Sequence, residues 1–236
     1  MRGGEAAGAG PSTVRRAPLL VLPLPPPGRR RARGRARLAV ASARLWVVAQ
    51  LAVAVVQVMG CRDWARYGPD PSAPLSDYHR SALPVLVAAF LGWWCGGLWL
   101  SRLHATARLI DPGGQAAERA MAWQCWLVPA ANWILPAWVV SDVARALLRR
   151  RPRGMTDEVP LVRLWWAAYL AMTATGGAAF TLTLSTPVQA DLLLVLAPAQ
   201  VALTLAAATV WVRLVRLLTR AHDRLVEQAG RVGGAA

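Results

Sequence analysis

AMAWQCWLVPAANWILPAWVVSDVARALLRRR, residues 120–151, is the stretch whose reading decides the fold. Within it Trp126, Pro129, Asn132 and Pro136 follow one another at spacings of three, three and four. The stretch is apolar enough to enter a membrane. It also holds two prolines, an asparagine and a glutamine, which suit a plain spanning helix badly. An internal proline removes one backbone donor and frees a carbonyl. In hydrocarbon such an unsatisfied group is expensive unless protein or water satisfies it. After Pro136 a helical pattern resumes, with Val140, Val143, Ala144, Leu147 and Leu148 on one face and Asp142, Arg145 and Arg149 on the other. That pattern predicts an amphipathic surface helix.

Outward from this stretch, the chain falls into apolar blocks of about 20 residues, the length a helix needs to cross about 30 Å of hydrocarbon. The composition agrees, with 56% hydrophobic residues and a mean hydropathy of +0.35. The blocks predict an all-α polytopic membrane protein with spans at about 38–59, 81–100, 161–184 and 192–212. Residues 1–37, rich in Gly, Pro, Ala and Arg, read as a disordered basic tail, and 221–236 as a second, C-terminal tail. The membrane domain is then 38–220. Gly92 and Gly96 form a small-x-x-x-small pair that would let another helix approach closely.

Arginine decides how the central stretch sits. All 27 basic residues are arginine, against 12 acidic ones. If residues 120–151 do not cross, 24 arginines fall on one side and three (Arg62, Arg66 and Arg80) on the other. If they cross, the division is 13 to 14. Cytoplasmic loops carry the excess of basic residues. The expectation is therefore four spans in a bacterial plasma membrane, both termini cytoplasmic, and a re-entrant or interfacial segment over 120–151. Asn132, between the prolines, is expected to bond carbonyls freed at the turn. A contact with a polar ligand or ion is the alternative.

At these residues the sequence resembles an actinobacterial four-span membrane family known as a domain of unknown function. Its features are a Pro/Gly turn, here Asp111-Pro112-Gly113-Gly114, and a W-x-x-P-x-x-N-x-x-x-P core, here Trp126, Pro129, Asn132 and Pro136. A short helix with an acidic residue and an arginine follows, here Asp142 and Arg145. Trp165-Trp166 at the start of the third span fits as well. The resemblance covers about residues 40–220 and implies a membrane location and a four-span layout, with no activity attached. Two positions depart from it: Trp138 and Ala144 stand where members often carry glutamine and tryptophan.

The chemistry-bearing residues are sparse. His79, His104 and His222 are each more than 20 residues apart, and Cys61, Cys95 and Cys125 have no metal or redox spacing. No nucleophile motif, zinc motif or carboxylate pair stands out. The expectation is a protein that is no enzyme and has no catalytic, cofactor-binding or metal residues and no cofactor. The residues of interest are the signature set Trp126, Pro129, Asn132, Pro136, Asp142 and Arg145. The charge of +15 sits beside apolar blocks, so it points to anionic lipid headgroups at the cytoplasmic face rather than to nucleic acid. A homo-oligomer or a membrane-protein neighbour is a further candidate partner. The function expected is an envelope scaffold or interaction protein. The alternative is a small-solute or ion transporter or channel subunit using the segment around Asn132. A polar cavity there would favour transport, and dry packing would favour a scaffold.

Overall fold

The computed structural model describes residues 29–67, 73–115, 118, 120–126, 128, 131–148, 160–184 and 190–233. Six α-helices follow in order: α1 Arg29–Tyr67, α2 Ala73–Ile110, α3 Met121–Gln124, α4 Leu135–Leu147, α5 Pro160–Leu184 and α6 Ala190–Gly233. A 3-10 turn over Ala131–Trp133 precedes α4. No strand occurs among the described residues.

Among the described residues three helices are long and apolar enough to cross a membrane: α1, α2 and α6, over Ala32–Asp63, Leu83–Ile110 and Asp191–Gln228. They outrun the predicted spans. α1 begins at Arg29, inside the expected tail, and α6 continues to Gly233, through most of the expected C-terminal tail. Residues 1–28 lie outside the described residues. The arginine block is helical because alanine and arginine are good helix formers and its alanines have something to pack on. Ala32, Ala36, Ala39 and Ala43, at spacings of four, three and four, are all buried. Small side chains on one strip let a neighbouring backbone come close. Leu38, Leu45, Val48, Val55 and Met59 point outward from the same helix. Such an apolar exterior would be a liability in water and is what a lipid-facing surface needs.

α5, the segment expected as the third span, is not among those three helices. Its 25 residues reach about 38 Å at 1.5 Å per residue. It nevertheless runs beside α6 for the length of the bundle. Val162 and Trp165 join the large core with Trp211 and Leu214. Tyr169 and Met172 pack with Ala207 midway, and Ala179 packs with Leu193 and Cys61 at the far end. The threonines satisfy their hydroxyls within their own helices: Thr173 donates to the Tyr169 carbonyl, Thr175 to Ala171 and Thr181 to Gly177.

The large core sits at the arginine-rich end. It joins the start of α1, the end of α2, α4, the start of α5 and the late part of α6. Here α4 differs from expectation. Instead of lying on a surface it is buried nearly all round, including Ser141 and Asp142, with Trp138 as its exposed residue. Pro136 does not break it. The proline occupies the first turn, where backbone N–H groups have no intrahelical partner anyway.

The small-residue contact also falls one position from where the pattern put it. A Cβ at Gly92 would meet nothing, and one at Gly96 would touch the Trp211 ring at 3.3 Å. A Cβ at Gly97 would stand 2.9 Å from the Trp123 Cβ and 3.1 Å from its Cα. Gly97 is thus what lets α3 lie against α2. Gly97→Ala is expected to destabilise the protein by about 1–3 kcal/mol through overpacking, whereas Gly177→Ala, which meets nothing, is neutral. Thermal unfolding of both variants in one detergent checks this, and equal melting temperatures would refute it.

Candidate functional site

Two of the signature residues, Trp126 and Asn132, meet an aromatic cluster at the arginine-rich end. Asp111 closes α2: its backbone N–H donates to the Ala107 carbonyl, and its carboxylate accepts the Gly114 N–H at 2.9 Å. A side chain at Gly114 would collide with that carboxylate. The turn sends the chain back across the bundle into α3. Trp126 follows α3 and packs against both Trp165 of α5 and Trp211 of α6, with ring centroids 5.9 and 5.6 Å away. Trp165 and Trp211 are 4.9 Å apart, and Trp99 of α2 meets Trp211 edge-on at 5.4 Å. Tilted and edge-to-face pairs set the positive ring edge against the negative face, worth about 0.5–1.5 kcal/mol each beyond burial.

Asn132 lies beneath this cluster, 5% exposed. Its backbone N–H donates to the Val128 carbonyl at 2.8 Å. Its side chain lies beside the Tyr169 hydroxyl, as does that of Trp93, yet neither pair closes to hydrogen-bond geometry. Asn132 Oδ1, Tyr169 Oη and the indole nitrogens of Trp46, Trp93 and Trp126 are all buried with no partner among the described residues. These four aromatic residues, with Trp165 and Trp211, surround a cavity of about 40 Å³, room for roughly three waters. Small residues, Ala39, Ala43, Gly92 and Ala207 among them, make the space, and its walls are almost wholly carbon. Pro129 lies outside the described residues.

Asp142 and Arg145 form a separate pair. Arg145 Nη2 donates to Asp142 Oδ1 at 2.8 Å, and Gln115 Nε2 donates to the Asp142 backbone carbonyl at 3.2 Å. Both bonds fasten α4, one within the helix and one to the turn after α2. The signature set is therefore split between the Trp126–Asn132 side, which meets the aromatic cluster, and the Asp142–Arg145 side, which anchors α4.

Sequence spacing gave no sign of a second polar group. His222 Nε2 lies 3.1 Å from Thr106 Oγ1, and His222 Nδ1 lies 3.5 Å from Asp223 Oδ1. Arg33 Nε donates to Asp223 Oδ2 at 2.6 Å. Trp99 Nε1 donates to Thr219 Oγ1 at 3.1 Å. Together these bonds tie α1, α2 and α6. A hydroxyl, an imidazole and a carboxylate in that order resemble a nucleophile with its base. Thr106 and His222 are, however, buried from any approach, at 6% and 1% exposed. Residues 116 positions apart meet here only because α2 and α6 pack, so no local motif could have found them. The described residues hold no cluster of three or more His, Cys, Asp or Glu able to bind a metal ion.

Apolar helices long enough to span a bilayer, packed around the short α3 and α4, define a membrane-type helical bundle. The family model described as "Domain of unknown function (DUF4328)" matches residues 79–222, more than half of the chain, and the protein belongs to that family. No curated protein and no solved structure matches it.

The docking of the central stretch is directly checkable. Burial pushes the Cys125 thiol up to about 12, so almost none of it is thiolate at neutral pH, and the thiolate is the nucleophile. A variant keeping Cys125 alone, with Cys61 and Cys95 replaced by alanine, is expected to resist maleimide in detergent at pH 7 and to react fully once unfolded. Rapid labelling of the folded protein would mean that the stretch is not docked on α2.

Proposed function

We propose that this protein is a non-enzymatic scaffold or interaction protein of the cell envelope. It sits in the plasma membrane as four spans with both termini cytoplasmic. Residues 120–151 form a re-entrant or interfacial cap on the cytoplasmic side, with anionic headgroups as their neighbours. A bacterial origin fits the arginine-only basic composition.

The observation that carries the reading is the small size of the space beside Asn132. A solute path needs polar groups lining a continuous wet route. The cavity bordered by Tyr169, the neighbour of Asn132, is walled by aromatic rings and alanines and is a few waters in size. The hydroxyls of Thr173, Thr175 and Thr204, which could have lined a path, are spent on carbonyls of their own helices. Support for the cap comes from connectivity. α2 ends and α5 begins in the same core, and Trp126, α4 and Gln115 pack at that end. Val128, Trp133, Ile134 and Trp138 turn apolar surface outward there, as a segment meeting the bilayer interface would.

Two experiments test it. A single cysteine at position 154, in a background without the native three, is expected to stay unlabelled by an impermeant maleimide until cells are opened. Labelling of intact cells would overturn the four-span layout. Proteoliposomes are expected to show no proton, potassium or small-solute flux above empty vesicles. A flux abolished by Asn132→Ala would replace the scaffold reading with transport.

A further inference from the structure

We infer that α1 and α6 together form a defined binding site for a lipid whose headgroup carries two phosphates. This inference rests on the proposed membrane orientation and goes beyond general attraction to anionic lipid. It starts from the contact of Arg33 with Asp223, which fixes how the two antiparallel helices align. Arg33, Arg37 and Arg44 lie on one strip of α1, at offsets of four and eleven residues. On α6, Arg216 is seven residues before Asp223 and shares its strip, with Arg213 and Arg220 beside it. Starting from the Arg33–Asp223 contact, each row runs along its own helix toward the middle of the bundle for about 16 Å at 1.5 Å per residue.

All but Arg33 of this group lack a carboxylate partner among the described residues, and all six are exposed. Arg33 itself has Asp223 and, more weakly, Glu227 near it. Six like charges on one seam repel one another unless an anion lies among them. Arginine forks bind phosphate oxygens bidentately. One phosphate engages one or two such forks, whereas two rows spread over this length match two phosphates. The apolar residues interleaved with them identify the ligand as a lipid. Leu38, Leu45 and Leu217 are exposed on the same stretches, so the seam offers carbon to acyl chains where it offers guanidinium to the headgroup. A soluble phosphate would make no use of those leucines.

The test compares the full-length protein with two double variants in a neutral detergent, by native mass spectrometry with added lipid. Arg37→Gln with Arg216→Gln removes two charges from the seam. Arg108→Gln with Arg231→Gln removes two exposed charges elsewhere. The wild type is expected to bind one cardiolipin, a lipid with two phosphates, at least about tenfold more tightly than phosphatidylglycerol, which has one. The seam variant should lose roughly 30-fold for cardiolipin, at about a factor of five per arginine. The control variant should lose less than about threefold. Equal losses in both variants, or equal affinity for the two lipids, would overturn the site while leaving the general attraction to anionic lipid intact. Inorganic pyrophosphate that displaces cardiolipin at similar concentration would overturn its assignment to lipid. Failure of both anionic lipids to bind better than phosphatidylcholine would overturn the site and the headgroup reading together.

Discussion

The packing of Trp126 against the paired rings of Trp165 and Trp211 is the contact on which the rest of the structure depends. A proline-broken segment cannot face lipid alone, because its freed backbone groups would go unsatisfied. Burying Trp126 against two helices holds the segment to protein instead. The contact also sets the order of the bundle. Trp165 lies near the start of α5 and Trp211 at the middle of α6, so one indole fixes the level at which both helices stand relative to the end of α2. Gly97 is the accompanying concession: without a glycine there, α3 could not come close enough for Trp126 to reach.

The same end of the molecule is where charge accumulates, and the two facts are connected. Three helices extend beyond the length that hydrocarbon requires. The overhangs are held by bonds that would be weak in water. Arg33 is largely exposed, and a surface ion pair is worth little by itself. Its partner Asp223 is buried, however, and Asp223 also orients His222 toward Thr106. A buried carboxylate needs compensation, so the exposed arginine, the imidazole and the hydroxyl behave as one unit. That unit fastens α1, α2 and α6 to one another at the arginine-rich end.

Much of the class was legible in the sequence, and the reasons for the misses are physical. Apolar block length identified the long helices, since that property is local. It also named α5, a 25-residue helix that is not one of the three candidate spans among the described residues. The Arg29–Arg37 block read as a tail because charge density was weighed before the alanine spacing of four, three and four, which is the actual packing signal. α4 read as a surface helix because Asp142 and Arg145 mark a polar face. That face is internal, since the pair neutralises itself and Gln115 covers the adjoining carbonyl. Among the signature residues, Trp126 and Asn132 could be singled out but not assigned neighbours. Tyr169, Trp93 and Trp211 come from three other helices, and only packing brings them together.

The unpaired polar atoms around Asn132 bear on what kind of object this is. A transporter gains by keeping such groups wet and mobile, whereas here they are locked among rings. Replacing Asn132 or Tyr169 by a carbon side chain of similar shape would relieve a buried polar group rather than open a route, and such replacements can be close to neutral. The rigidity comes from aromatic area, not from a hydrogen-bond network. Under the scaffold reading proposed above, an aromatic core of this kind fits a protein that holds one arrangement at a membrane, because close-packed cores switch between discrete arrangements rather than deform.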